Sequence, residues 1–326
     1  MASSRLRRPE PGVAINPPAL QLGTRNAILW GQARQYHVAE FPGPLSIKTV
    51  VCGSALWRTS EAERLVDGRN YLILNAGRPY SLTIDSPETV ETFCLFFRNG
   101  FVEDACRVEN TDSVLLLDDP PSGSAGSNSK AAAEFFEALH PPDSIVSPLL
   151  ETMYRRAASH TASDAWLEDQ FLAAAAALSK VHGEARKRAS KIPAKKPSTR
   201  MELYRRLLRG KDYMDSFFGE PLRLAEVANQ ACLSPYHFHR LFRELFRVTP
   251  NQYLQRRRLA NAERLLERGE QSVTDICLEV GFESISSFSA LFRRTFGCPP
   301  REYRFRKNGT RVDCGVPRKR NRRGVP

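Results

Sequence analysis

Ser234-Pro-Tyr-His-Phe-His-Arg-Leu-Phe-Arg-Glu-Leu-Phe246 is the stretch from which the rest of this chain can be read. At about 100° per residue, Phe238, Leu241, Phe242 and Leu245 share one side of a helix. Tyr236, Arg240, Arg243 and Arg247 share the other, with His239 flanking them. Ser234 is suited to cap this helix and Pro235 to occupy its first position. Upstream, Leu224, Val227, Ala228 and Ala231 make a second short amphipathic helix that ends at Cys232-Leu233. Two short helices joined by a tight turn, the second with an outward basic face, are the sequence form of a helix-turn-helix.

The pattern returns about fifty residues later. Between 238–253 and 288–303 seven of sixteen positions are identical: Phe238/Phe288, Leu241/Leu291, Phe242/Phe292, Arg243/Arg293, Phe246/Phe296, Pro250/Pro300 and Tyr253/Tyr303. Upstream the offset is forty-nine, as in Val227/Ile276 and Leu233/Phe282, so the length difference falls in the turn. Such a repeat implies two copies of one supersecondary unit. Between them, Thr249-Pro250 to Arg268-Gly269 has the start and stop signals of a helix. Its nineteen residues would span about 28 Å. That is near the ~34 Å of one DNA turn, so a connector of this length suits recognition helices in successive major grooves.

These residues carry a family resemblance. Leu-Ser-Pro-Tyr-His-Phe-His-Arg-Leu-Phe, Thr-Pro-Asn-Gln-Tyr-Leu, Arg-Arg-Leu-Ala-Asn-Ala-Glu-Arg-Leu-Leu and Gly-Phe-Glu-Ser-Ile-Ser-Ser-Phe-Ser-Ala-Leu-Phe-Arg-Arg-Thr-Phe-Gly occur in order between Leu203 and Arg306. The segment resembles the DNA-binding domain of AraC/XylS-type transcription regulators. The resemblance implies a double helix-turn-helix, activation by contact with RNA polymerase, and a cupin-like sensor ahead of the DNA-binding domain. It covers about a hundred residues and says little of the rest.

Charge divides the chain. Residues 1–185 hold 16 Lys/Arg against 22 Asp/Glu, a net of −6; residues 186–326 hold 32 against 14, a net of +18. A basic second half points to nucleic acid as the partner of that half. The seven cysteines are dispersed without a Cys-x-x-Cys, which fits reduced thiols in a cytoplasm. No export signal or membrane-length apolar run is read from the sequence.

From Ala27 to Phe101 the signal is β. Pro44–Val51, Tyr71–Asn75, Tyr80–Asp85 and Glu91–Phe97 read as strands, with Asp67-Gly68 as a hairpin signal. Short strands at close spacing suggest a sandwich or barrel, and the resemblance favours a cupin-like barrel. Ala131–Leu139, Ile145–Ala158 and Asp164–His182 read as helices. The expected plan is a loose segment at 1–28, a sensor at 29–120, a Ser/Gly connector at 122–130 and helices at 131–183 that pack on the sensor or on the partner of a homodimer. A basic linker at 184–200, the DNA-binding domain at 201–306 and a basic disordered tail at 307–326 complete it. The fold class is thus a β-barrel with flanking helices followed by an all-α domain.

Within the two recognition helices, Tyr236, His239, Arg240, Ile285, Ser286 and Ser289 are assigned to bases. Arginine matches the paired acceptors of guanine, and Ile285 either meets a thymine methyl or belongs to the core. Ser234, His237, Arg243, Arg247, Ser284, Arg293 and Arg294 are assigned to phosphates. Ala290 stands where the first copy has Arg240, so the first unit is expected to discriminate sequence and the second to add affinity. A solvated charged face is the plain alternative. Arg258 shares a face with Leu254, Ala262 and Leu265 and is expected to be packed and structural.

Trp57, Tyr71, Asn75, Arg78, Tyr80 and Phe93 are the candidates for an effector pocket, although aromatic residues in a β domain also serve as ordinary core. No cofactor or metal is expected. The histidines are scattered, His237 and His239 point to different sides of their helix, and no hydrolase, nucleotide or zinc motif occurs. An architectural protein binding any duplex is the rival to a sequence-specific regulator.

Overall fold

A computed structural model describes residues 6–7, 22–110 and 134–309. The Ser/Gly connector at 122–130 and the tail beyond Gly309 lie outside the described residues. The described chain divides into two compact units, Met1–Phe217 with Arg223–Pro250, and Phe218–Leu222 with Asn251–Pro326.

The first unit opens with an antiparallel, nearly closed sheet, the cupin-like barrel. Strand β1 (Leu6–Arg7) pairs in parallel with β2 (Ala27–Pro42), so the segment expected to be loose contributes two strand residues. β2 lies along β7 (Pro79–Phe96), with register shifts between Ala33 and Gln35 and between Val38 and Phe41. The two strands expected at 80–85 and 91–97 are therefore one long strand, bent where its partner bulges. β7 also pairs with β3 (Ser46–Cys52) and β4 (Ser54–Thr59), and β4 pairs with β5 (Glu63–Asp67). The turn at Asp67-Gly68 does form, closed by Asn70 N donating to Asp67 O at 3.2 Å. It is not a hairpin: β6 (Tyr71–Leu74) leaves β5 and pairs with β3 and with β8 (Leu139–His140).

The sheet separates two apolar cores. Val50, Trp57, Val66, Leu72, Leu74, Tyr80, Ile84, Cys94 and Phe96 fill the barrel interior. On the other face Trp30, Ile47, Tyr71, Ile73, Phe93 and Leu95 meet helices α1 (Phe101–Asn110), α2 (Ser147–Ala158) and α3 (Asp164–Ala189). Period-two alternation of the strands sends alternate residues to each core.

The helix expected over 131–139 is absent among the described residues. Residues 134–138 run without helix, and Leu139-His140 is strand. Competing partners explain this. Asn75 Nδ2 donates to Phe135 O and Asn75 Oδ1 accepts from Phe135 N, both at 2.9 Å, and β6 takes the next residues. Residues 184–189, expected to begin a linker, are the last turns of α3, and α4 (Pro197–Ser216) starts where the linker was to end.

Helix α4 is fastened to β5. Arg64 Nε donates to Asp212 Oδ2 at 2.8 Å, and both side chains are essentially fully buried. Arg64 Nη2 donates to Glu137 O at 2.7 Å, Asp212 Oδ1 accepts from Leu139 N at 3.1 Å, and Ser216 Oγ accepts from Leu65 N at 2.9 Å. The unpaired edge of β5 is thus covered by a helix. Burial pushes the Asp212 carboxyl up to about 6, with Arg64 opposing, so it is ionised above that pH. Helices α5 (Leu224–Gln230) and α6 (Pro235–Phe246) complete this unit. The approach of α4 to α6 requires glycine, since a Cβ at Gly210 would lie 2.5 Å from Phe238 Cε2.

The second unit contains α7 (Pro250–Arg268), α8 (Val273–Glu279), α9 (Ile285–Phe296) and α10 (Pro300–Gly309). Its core is Leu259, Ala262, Leu266, Ile276, Cys277, Val280, Phe288 and Phe292. The repeat is visible in backbone detail. Leu233 N donates to Ala228 O in the first turn and Phe282 N to Cys277 O in the second, with Cys232 (φ +51°) and Gly281 (φ +86°) at the same left-handed position. Each recognition helix is stopped by a left-handed residue too: Arg247 (φ +61°) in the first and Gly297 (φ +79°) in the second.

Candidate nucleic-acid interface

Three helices of the basic half are started by the same device. The hydroxyls of Ser234, Ser272 and Ser284 accept from His237 N, Asp275 N and Ser287 N at 3.3, 3.1 and 3.3 Å. In α6 the buried side is Phe238, Leu241 and Phe242, with successive rings 4.4–5.4 Å apart down to Phe246. In α9 Phe288 and Phe292 are buried in the same way, and Tyr303 of α10 packs on Phe292 and Phe296 at 5.5 and 5.6 Å. Tyr303 Oη donates to Glu263 at 2.6 Å, tying α10 to α7. These contacts set the azimuth of each helix and so decide which residues face outward.

On α6 the outward residues are gathered as expected. Tyr236, His239, Arg240, Arg243 and Arg247 line one concave surface, and Glu244 joins them. Tyr236 is 79% exposed, an unusual position for an aromatic side chain whose neighbours two residues on are core. Glu244 was not singled out from the sequence, although its position four residues after Arg240 places it on that face. His237 is half-buried, and its backbone N–H is engaged by the Ser234 cap.

On α9, Ser284, Ser286, Arg293 and Arg294 are exposed, and Ser289 is half-buried beside them. Ile285 is 42% exposed, which resolves its two readings: it is not core. Ala290 is exposed at the position of Arg240, so this face is cationic only toward its C-terminal end. Arg258 is a packed structural arginine, its Nε and Nη2 donating to Phe218 O and Glu220 O at 2.8 Å each. Arg257 lies over the Phe218 ring, and Arg256 is exposed.

The effector-pocket candidates are scattered by the barrel wall. Trp57 and Tyr80 line an interior cavity of about 90 Å³ together with Lys48, Ile84, Cys94 and Phe96. The other four lie elsewhere. Tyr71 donates to Asp143 at 2.5 Å and stacks on His140, and Phe93 packs on Trp30 and Tyr154 in the outer core. Asn75 is spent on Phe135, and Arg78 pairs with Glu61 and Glu134 at 3.3 and 2.6 Å. Lys48 was missed from the sequence. It shares a strand face with Ser46 and Val50, and a lysine on such a face reads as solvated from the sequence. Among the described residues no group of three or more His, Cys, Asp or Glu comes together as a metal site, and no helix is long and apolar enough to cross a membrane.

Residues 227–306 match a family described as a helix-turn-helix domain. The chain is 39% identical over 97 residues to the HTH-type transcriptional activator RhaS of Escherichia coli O139:H28, a match covering 30% of this chain and 35% of the relative. It therefore spans about a third of the length of such curated relatives. Among solved structures, an AraC-type regulator from Chromobacterium violaceum is 30% identical, with 34% of this chain and 95% of that one covered and a TM-score of 0.30. Apo ToxT K231A from Vibrio cholerae is 16% identical, with 86% and 97% covered and a TM-score of 0.34. Residues 227–306 thus form a helix-turn-helix domain, similar in sequence to that of the HTH-type transcriptional activator RhaS.

Proposed function

We propose that the protein is a sequence-specific DNA-binding transcription regulator, working in the cytoplasm, whose barrel senses a small molecule or mediates self-association. The observation that carries this reading is the duplicated, capped helix with an outward polar and cationic face, set in a half of the chain with a net charge of +18. Such a helix enters the major groove by its N-terminal residues. Tyr236, His239 and Arg240 then meet base edges, and Arg243 and Arg247 meet phosphates further along. Ile285, Ser286 and Ser289 face bases in the second helix, while Arg293 and Arg294 hold phosphates. The N-termini capped by Ser234 and Ser284 favour phosphate through their free N–H groups and dipole.

Arg247 supports this division. It occupies a left-handed backbone position at which the second copy has glycine. A side chain there costs about 1–2 kcal/mol, a cost compensated if its charge serves DNA. The resemblance to relatives named as activators supports activation through RNA polymerase at a promoter.

The test is selection of bound duplexes from a random pool by the full chain and by Arg240→Ala. A defined operator is expected from the full chain, and the variant should relax one or two positions by about 1–3 kcal/mol. Equal affinity for all duplexes at fixed salt would favour the architectural rival.

A further inference from the structure

Strand β3 sends Lys48 and Val50 into the barrel and Ile47 to the outer core. Lysine at an interior position is the exception in this wall. Its side chain is 1% exposed and lines the cavity. Nζ donates to Tyr80 Oη at 2.8 Å and lies 3.7 Å from the centre of the Phe96 ring and 4.5 Å from that of Tyr80. Among the described residues no carboxylate pairs with it. Burial pushes the amine down to about 7, so at neutral pH a substantial share has a free lone pair. The thiol of Cys94 lines the same space, and burial pushes its pKa up, which leaves the amine as the better nucleophile there.

Two ligand chemistries fit an amine in an apolar cavity, and desolvation separates them. A carboxylate must shed its water into a site with two polar partners, at several kcal/mol per ion. A carbonyl compound enters uncharged and meets a lone pair. One water needs about 10–15 Å³, so a cavity of about 90 Å³ admits only a compact molecule.

We propose that the barrel cavity holds a compact, apolar aldehyde as a reversible imine on Lys48, with Tyr80 moving the proton. The Lys48 Nζ lone pair forms a C–N bond to the carbonyl carbon, and one N–H proton passes to the oxygen to give a carbinolamine. The C–O bond then breaks, Tyr80 Oη relays the second N–H proton to the departing hydroxide, and water leaves as the C=N bond forms. No oxidant or reductant is consumed. This deepens the reading of the barrel as a sensor and rests on it for its regulatory meaning.

The test is reductive trapping on the full chain. The protein is incubated with limiting benzaldehyde and cyanoborohydride at neutral pH and mapped by peptide mass spectrometry. The benzyl group is expected on Lys48 at about tenfold or more over the exposed Lys180 and Lys191, because a substantial share of the Lys48 amine carries a free lone pair inside an apolar cavity that gathers the aldehyde. Tyr80→Phe should slow labelling of Lys48 and leave the other lysines unchanged. Labelling confined to exposed lysines overturns the proposal. So does a rise in melting temperature with benzoate while Lys48 stays unlabelled, which marks an anion site. DNA affinity of the trapped protein is read separately. A Lys48 adduct that leaves it unchanged would retire the sensor reading and keep the imine site.

Discussion

Asp212→Ala should loosen α4 from the barrel, and the size of the effect follows from what the aspartate leaves behind. The Arg64 guanidinium is 2% exposed and keeps only Glu137 O at 2.7 Å and a long 3.5 Å contact to Thr59 Oγ1. Leu139 N loses its acceptor. Removing one partner of a buried ion pair costs about 3–5 kcal/mol, because the remaining charge is neither paired nor hydrated. The pair as a whole contributes far less, since its attraction is offset by desolvation. Arg64→Met with Asp212→Leu should therefore lie within about 1 kcal/mol of the parent, with a coupling energy of several kcal/mol between the sites. The assay is urea unfolding of the full chain at pH 7.5, above the range in which Asp212 titrates. Trp30, Trp57 and Trp166 all lie in the first unit, so tryptophan fluorescence reports on it. A loss below about 1 kcal/mol for Asp212→Ala, or a double variant as unstable as the single one, would refute this account.

Gly210→Ala sets helix propensity against packing. Alanine contributes about 1 kcal/mol to α4, but its Cβ would sit 2.5 and 2.8 Å from the ring of the fully buried Phe238. Overpacking of about 1–3 kcal/mol should win, lowering the melting temperature and weakening DNA binding evenly across sequences. Arg247→Gly should raise stability by about 1 kcal/mol by relieving a left-handed side chain, while lowering DNA affinity and the salt slope by about one phosphate contact. Gly297→Ala should do the opposite to stability, and paired melts and salt titrations read both. Lys48 gives a pH signature. Its pKa falls from the unfolded value to about 7 in the fold. Between these values the unfolded chain binds the extra proton, so stability rises with pH above 7, by up to about 1.4 kcal/mol per unit. Lys48→Met should flatten that rise; denaturation series from pH 7 to 9.5 check it.

The recognition helices were legible in the sequence because everything that defines them is local. The 3.6-residue period separates Phe238, Leu241 and Phe242 from Tyr236 and Arg240, serine caps start the helices, and the second copy repeats the arrangement with a one-residue slip in the turn. Charge segregation, countable without a fold, pointed to the partner. Where partners lie far apart in the chain the reading failed. Residues 135–140 look helical in isolation, but Asn75 and β6 claim their backbone. The strands at 80–85 and 91–97 look separate, but a bulged β2 lets them run as one. Tyr71 and Tyr80 cannot be told apart by composition, because the face each presents depends on which strand lies beside it. Lys48 shows why tertiary structure had the last word on the pocket. A lysine in a strand reads as solvated until the sheet closes around it, and only that closure removes the water that would have kept its charge.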